Sequence, residues 1–555
     1  MYKRQNDTAI YWQALSDPGS GVYRNGNALR NPSTDPYYVG AVKVEWNLGF
    51  GQLTSNTSYY SRDQHSTSDY TQYLRATWSI PGYGLINTYP FPGDMGYAPF
   101  KDTQRNFYQE FRLASTDASA RMTWNTGLYF SHTNENIPED IYDNNLEAET
   151  GGGVCAYIVP TVTCPNGLIY HGPEDRIIEK QIAAFGELSY KIIPTVKATV
   201  GLRVSKVDVD GTTGFGGAFS GVPLSPLITA EAKSSEKPVT PKFVLAYQPD
   251  RDNMYYLSAA KGYRAGGINI QVATLCDQNL LTLGLPVGAD GHPHVPGSYD
   301  SDSLWSYEIG AKNTVADRKL QVNSSLYIID WKKIQQNVYL PNCGEQFSAN
   351  LGQVRSQGGD IDLSYKPIQP LTFGLTIAYS DAKFTQNSCA GVLTAQGSAC
   401  VGPGTSAPPV VSQGDRLLGA PWTFLASAEY AAPIAAWGSR IAYVRLDYQQ
   451  TTAQTALIPG IDDRNALFDD SVPGLPMTRD LSLRAGLRFS GADVSLFATN
   501  LTNQHPLMFS SRDLTLDCVT GSHCTPNSNP PSIDNLYFGR GVRPLTVGVT
   551  ATYRY

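Results

Sequence analysis

Apolar and polar residues change places at every step along many stretches of this chain. Val196, Ala198, Val200, Leu202 and Val204 alternate with Lys197, Thr199, Gly201, Arg203 and Ser205. That period of two puts one set on each face of a β-strand. Leu371, Phe373, Leu375, Ile377 and Tyr379 oppose Thr372, Gly374, Thr376 and Ser380 in the same way, and Leu481, Leu483, Ala485, Leu487 and Phe489 oppose Asp480, Ser482, Arg484, Gly486 and Arg488. Met122, Trp124, Leu128 and Phe130 face away from Arg121, Thr123 and Asn125. The last stretch sets Val547, Val549, Ala551, Tyr553 and Tyr555 against Thr546, Gly548, Thr550, Thr552 and Arg554. A half-buried sheet in a soluble protein shows such alternation once or twice. Repeated along the chain with Arg and Lys on the second face, it predicts a wall with lipid on one side and water on the other.

The connections alternate too. Short polar turns fall near 48–51, 116–119, 192–195, 249–253, 315–318, 366–370, 433–438 and 490–492. Between them lie long Gly, Pro and Asn-rich stretches at 64–104, 133–179, 211–237, 265–301, 337–345, 386–413, 452–476 and 510–535. Loops this long argue against a compact soluble domain, whereas short turns on one side and long loops on the other are the habit of an outer-membrane barrel. The expected fold is all-β, an antiparallel transmembrane β-barrel of about eighteen strands, the first near Ala9 to Ala14. No composition shift divides residues 1–555, so one domain is expected.

Composition sharpens this reading in three places. Tyrosine, at 34 residues against 19 Phe and 8 Trp, is in excess, and rings with a polar tip suit the boundary between lipid and water. The net charge of −7, without any basic run, excludes nucleic acid as a partner. All eight cysteines, Cys155, Cys164, Cys276, Cys343, Cys389, Cys400, Cys518 and Cys524, fall in the long connections, so an oxidising compartment and disulfides on one side are expected. Close spacing suggests Cys155 with Cys164, Cys389 with Cys400 and Cys518 with Cys524, leaving Cys276 and Cys343 to join adjacent loops, although the sequence leaves the connectivity open. No stretch is long and apolar enough for a transmembrane helix. Met1 to Gln5 runs straight into Asn6, Asp7 and Thr8 without the apolar core of a signal peptide. That pentapeptide reads as the translation of a sequencing-adapter end, and an N-terminally truncated chain is the expectation.

Motifs for bond chemistry are missing: there is no P-loop, no H-E-x-x-H and no G-x-S-x-G. Neither an enzyme nor a cofactor is expected. His292 and His294 flank Pro293 in a loop and read as solvated rather than as metal ligands, and the acidic run from Glu139 to Asn145 lacks the spacing of a calcium loop. The connection after Gln64 is more informative. It displays Trp78, Tyr83, Tyr89, Phe91 and Tyr97 among Gly and Pro, rigid aromatic surface where a ligand would first arrive.

Several segments together resemble one family. Gln109-Glu110-Phe111-Arg112-Leu113-Ala114-Ser115, Lys261-Gly262-Tyr263-Arg264-Ala265-Gly266-Gly267-Ile268-Asn269, Ser306-Tyr307-Glu308-Ile309-Gly310-Ala311-Lys312-Asn313, Gly358-Gly359-Asp360-Ile361-Asp362-Leu363 and Asn500-Leu501-Thr502-Asn503-Gln504 resemble the barrel of TonB-dependent outer-membrane receptors, in the family's order. The resemblance implies a 22-strand barrel closed by a plug, of which this chain carries the C-terminal portion without plug, TonB box or signal peptide. It implies capture of a scarce nutrient, such as a ferric siderophore, by extracellular loops of a monomer in the outer membrane of a Gram-negative bacterium. In the full-length protein the TonB complex would be a further partner. Gly548, Tyr553 and Tyr555 would carry the signal read by the barrel-insertion machinery. A passive porin and a secreted adhesin are the alternatives.

Overall fold

Each short turn leads one strand directly back against its predecessor, and the sum of these hairpins is a single antiparallel wall. The computed structural model describes residues 4–5, 10–11, 28–71, 74, 95–144, 164–220, 224–272, 276–340, 345–389, 401–402, 405–406, 408–417, 419–434, 438, 440–466, 468, 474–489, 491–515 and 535–553. A 21-stranded sheet dominates it. Its main members are β1 (Tyr37–Asn47), β2 (Gln52–Asp69), β3 (Gly96–Ala114), β4 (Met122–Asn136), β5 (Leu168–Ile193), β6 (Val196–Gly216), β7 (Ile228–Glu236), β8 (Val239–Tyr247) and β9 (Asn253–Arg264). They continue with β10 (Asp302–Val315), β11 (Leu320–Lys332), β12 (Gln353–Ile368), β13 (Leu371–Phe384), β14 (Trp422–Ile434), β15 (Arg440–Thr451), β16 (Thr478–Phe489), β17 (Ala492–Thr499) and β18 (Thr546–Tyr553). β7 and β8 stack end to end along β6, with Lys237 and Pro238 between them. Pro238 has no N–H to give to a ladder, so the strand is interrupted there.

The two faces separate as the alternation requires. On β6, Val200, Leu202 and Val204 are 44–49% exposed, while Thr199 and Ser205 are 8% and 4%. Register carries the apolar face across the wall, Val204 pairing with Ala184, which continues through Leu128 to Phe111. The other face is polar. One rung runs Arg203, Phe185, Gly127, Arg112, Thr54, Glu45. Where a ring on this face needs room, its cross-strand partner is glycine: a Cβ at Gly548 would come within 2.6 Å of the Phe497 ring, and one at Gly486 within 2.8 Å of Tyr443. Gly548 thus faces inward under a ring, and Tyr553 stands on the outer face at 66% exposure. Tyr555 lies outside the described residues.

The wall rises further than the alternation foretells. Strands run through 64–69, 96–104, 168–179 and 211–216, all read from the sequence as loop. The reason lies in the solvent. Above Val204 the outer face turns charged, with Lys206 2.7 Å from Asp208 and Lys233 3.6 Å from Asp210, while the inner face turns apolar through Val207, Val209 and Phe215. The backbone ladder continues unchanged while the pattern of polarity inverts, as it must where the strand leaves hydrocarbon for water. Of the expected first strand, Ala9 to Ala14, Ile10–Tyr11 is a strand paired with Phe538 and Gly539, and the rest lies outside the described residues. Among the described residues β1 is laddered only to β2, which leaves Tyr38 and Val39 at 75% and 67% exposure.

Over the later strands the long connections fold on one another. Leu280, Ile334, Leu340, Leu351, Phe384 and Val411 are all nearly sealed from solvent in one apolar cluster that caps this half of the mouth. Cys276 lies inside it. Among the described residues Cys164, Cys276 and Cys389 are each disulfide-bonded, all on the long-loop side; Cys155, Cys343, Cys400, Cys518 and Cys524 lie outside the described residues. Among the described residues no helix is long and apolar enough to cross a membrane.

Candidate ligand-binding site

The polar face of the wall has two storeys. In the lower one, arginines dominate. Arg488 sits 4.1 Å from the Tyr443 ring centre and 3.3 Å from Glu429, and Arg445 reaches Glu429 at 3.7 Å and Asp447 at 2.8 Å. A cavity of about 600 Å³ lies among Glu429, Tyr443, Arg484, Arg488 and Asp493, and another of about 500 Å³ among Glu45, Glu110, Arg112, Phe185 and Arg203. A wider recess of about 1050 Å³ is lined mainly by Leu257, Ile309, Leu326, Tyr379 and Trp422. It opens mainly on the lipid-facing side, although the inner-face residues Tyr256, Ser325 and Asp360 also line it.

The upper storey is carboxylate-rich. Following register from β6, one inner rung holds Gly211, Ile177, Glu135, Gln104 and Arg62, and one step above it Thr213 pairs with Asp175 and Asp102 with Gln64. Their outward neighbours, Thr212, Arg176, Asn136, Thr103 and Asp63, are polar, which places this level above the hydrocarbon. Arg62 is the cation at its centre, 2.7 Å from Asp35 and 2.5 Å from Asp102, and also bonded to Gln64. Asp102 Oδ1, Asn106 Oδ1 and Asp175 Oδ1 are shut off from solvent without a hydrogen-bond partner. Higher still, Tyr70 donates to Glu139 at 2.8 Å and His171 meets Asp140 at 2.7 Å.

Crowding one cation among several acids shifts their titration. Burial, reinforced by the charge of Glu135, pushes the Asp175 carboxyl up to about 6. Burial likewise raises Asp102 against the opposing pull of Arg62, and raises Glu135 with help from Asp102. Glu139 is raised by burial despite the Tyr70 hydrogen bond. The chemistry available is recognition by hydrogen bonds and charge. No group of three or more His, Cys, Asp or Glu among the described residues is arranged around a metal. Because the Asp175 proton is gained as pH falls through about 6, the mouth is most negative above that pH. Capture of a cationic ligand should therefore weaken from pH 7.5 to pH 5 and that of an anionic one strengthen, with Asp175→Asn flattening both profiles. Equilibrium binding across that range checks it.

Of the aromatic residues expected to meet a ligand, Trp78, Tyr83, Tyr89 and Phe91 lie outside the described residues. Tyr97 begins the upper part of β3, where it stacks on Tyr142 at 5.2 Å, on the side of the strand opposite the buried Gly96 and Ala98. The carboxylates Asp102, Glu135 and Asp175 were not singled out by motif. Their signal is phase: Asp102 and Gln104 keep step with the inward Glu110 and Arg112, so extending the alternation upward would have found them.

With this architecture in place, comparison with known proteins decides the family. Residues 2–503 match the family described as TonB dependent receptor-like, beta-barrel. The chain belongs to that family. Solved structures share the fold at low identity. The ferric yersiniabactin uptake receptor FyuA from Yersinia pestis superposes with a TM-score of 0.62 at 12% identity, covering 96% of this chain and 63% of that one. The siderophore receptor PiuA from Acinetobacter baumannii gives 0.60 at 12%, covering 100% and 71%, and the ferric-catecholate import receptor Fiu from K12 E. coli gives 0.54 at 12%, covering 95% and 65%. The chain thus spans under two thirds of the length of FyuA and of Fiu. TonB-dependent receptor barrels are outer-membrane proteins and not enzymes, and the lipid-facing band described above is the physical counterpart of that membership.

Proposed function

We propose that this TonB-dependent receptor barrel serves the uptake of a scarce nutrient, a ferric siderophore or another small ligand, captured at the extracellular mouth and drawn along the polar lumen with energy from TonB. Family membership over residues 2–503 carries the reading. The geometry supports it: the wall is lipid-compatible outside, while the upper lumen sets carboxylates around Arg62 along the path of an incoming solute. The proposed setting is the outer membrane of a Gram-negative bacterium, with one chain per barrel. β18, apolar on its outer face, is the strand through which the insertion machinery would engage the chain, at Gly548, Tyr553 and Tyr555. Plug and TonB box would be supplied outside the described wall, so the complete gene is the right material for a transport test. Receptor-deficient cells carrying that gene should take up radiolabelled ferric siderophore only when TonB is functional. Equal uptake in a TonB-deficient strain would replace this reading with a passive channel.

A further inference from the structure

The loop between β9 and β10 holds a pair of exposed imidazoles, each backed by a carboxylate. Residues 286–294 double back at Gly291, whose φ of 88° suits glycine, with the Gly288 N–H donating to the His292 carbonyl at 2.8 Å and a bridge between Val287 and Pro293. His292 and His294 therefore sit two apart on an extended segment and share a side. Gly288, across from His292, leaves room for the second ring: a Cβ there would lie 2.6 Å from His294 Cδ2. That contact brings the His294 ring over the bare position opposite its neighbour.

Each ring is held from behind by a carboxylate. His292 Nδ1 lies 2.6 Å from Asp277 Oδ2, and His294 Nε2 lies 3.0 Å from Asp290 Oδ1. When one nitrogen donates to a carboxylate, the other ring nitrogen keeps its lone pair. Fixing the tautomer and raising ligand basicity in this manner is what carboxylates do behind metal-bound histidines. The rings are 48% and 45% exposed, so an ion can reach them. Their platform is firm: Asp277 opens a short helix whose Leu280 is fully buried, next to the disulfide-bonded and fully buried Cys276.

We propose that His292 and His294 form a two-imidazole capture site for a borderline divalent transition metal, copper(II) in preference to nickel(II) and zinc(II). Imidazole nitrogens suit these ions, and among them copper binds a given nitrogen site most tightly. Two protein ligands leave the remaining coordination positions to water or to a small chelator that brings the metal. The site is accordingly one of exchange, suited to an ion in passage. It stands independently of the transport reading, because binding is measured on the purified chain.

The experiment titrates the full chain, purified in detergent, with copper(II), and reads affinity by calorimetry and ligand number by electron paramagnetic resonance. Wild type should bind with two imidazole nitrogens in the spectrum. His292→Ala and His294→Ala should each lower affinity about tenfold or more, and the double variant should abolish the two-nitrogen signal. Asp277→Asn should keep both nitrogens but bind about 10–100-fold more weakly, as loss of a supporting carboxylate does. The chain has other histidines, so the double variant supplies the background. A wild-type spectrum with fewer than two nitrogens, or an unchanged affinity in the double variant with heat-modifiable gel mobility intact, overturns the proposal.

Discussion

Leu326→Arg should destabilise the folded barrel by about 2–4 kcal/mol, while Ser325→Arg, one residue away at the same depth, should cost under about 1 kcal/mol. Leu326 is 66% exposed on the outer face, between Ile309 and Gly359 in the register. No water reaches a charge placed there. Ser325 faces the lumen and hydrogen-bonds to Asp360, so a guanidinium at that position gains a carboxylate partner and solvent. Denaturant titration of both variants refolded into lipid vesicles measures the contrast. Equal shifts, or a larger one for Ser325→Arg, would mean that the two faces of the wall have been exchanged.

The second large effect belongs to the loop cap. Phe384, 2% exposed at the top of β13, packs with Ile334, Leu340, Leu351 and Val411, and its N–H donates to the Asp415 carbonyl at 2.8 Å. Phe384→Ala should remove about 3–5 kcal/mol from the cap through lost burial and the cavity left behind. That core meets the wall at its rim, through Trp331, Val354 and Ala382 at the tops of β11 to β13. Limited proteolysis should accordingly cut the variant within the 385–421 connection, while the barrel keeps its heat-modifiable mobility. Loss of the barrel together with the cap would show that the two are one cooperative unit.

The parts of this fold that the sequence makes legible are those where lipid dictates the pattern. Val200, Leu202 and Val204 announce their face because hydrocarbon accepts little else, and the turns at 194–195 and 248–252 follow from short polar breaks between such bands. Above the bilayer that constraint ends. Lys206, Asp208 and Asp210 took over the outer side and Val207 and Val209 the inner, so strand continued where periodicity was read as lost. The acidic mouth was hidden for the same reason, its Asp102, Glu135 and Asp175 coming from three strands and meeting only through register. The cap was hidden for another. Leu280, Val338 and Val411 belong to short apolar runs without period, which sequence inspection cannot assign to a core. The carboxylates behind His292 and His294 are likewise invisible without the backbone, since Asp277 precedes His292 by 15 residues.

The separation of wall and cap orders their assembly in time. Wall pairings join strands close to one another in chain order, many through turns of a few residues, and those hairpin steps close small loops at little entropic cost. The cap instead gathers Leu280, Ile334 and Val411 from three separate connections onto Phe384 at the top of β13, and these meet only once β9 to β14 stand side by side. Its contacts have no template before then. The mouth thus takes its shape after the wall has formed, and an assembly intermediate with its strands already paired still presents an open, unsculpted entrance to the medium.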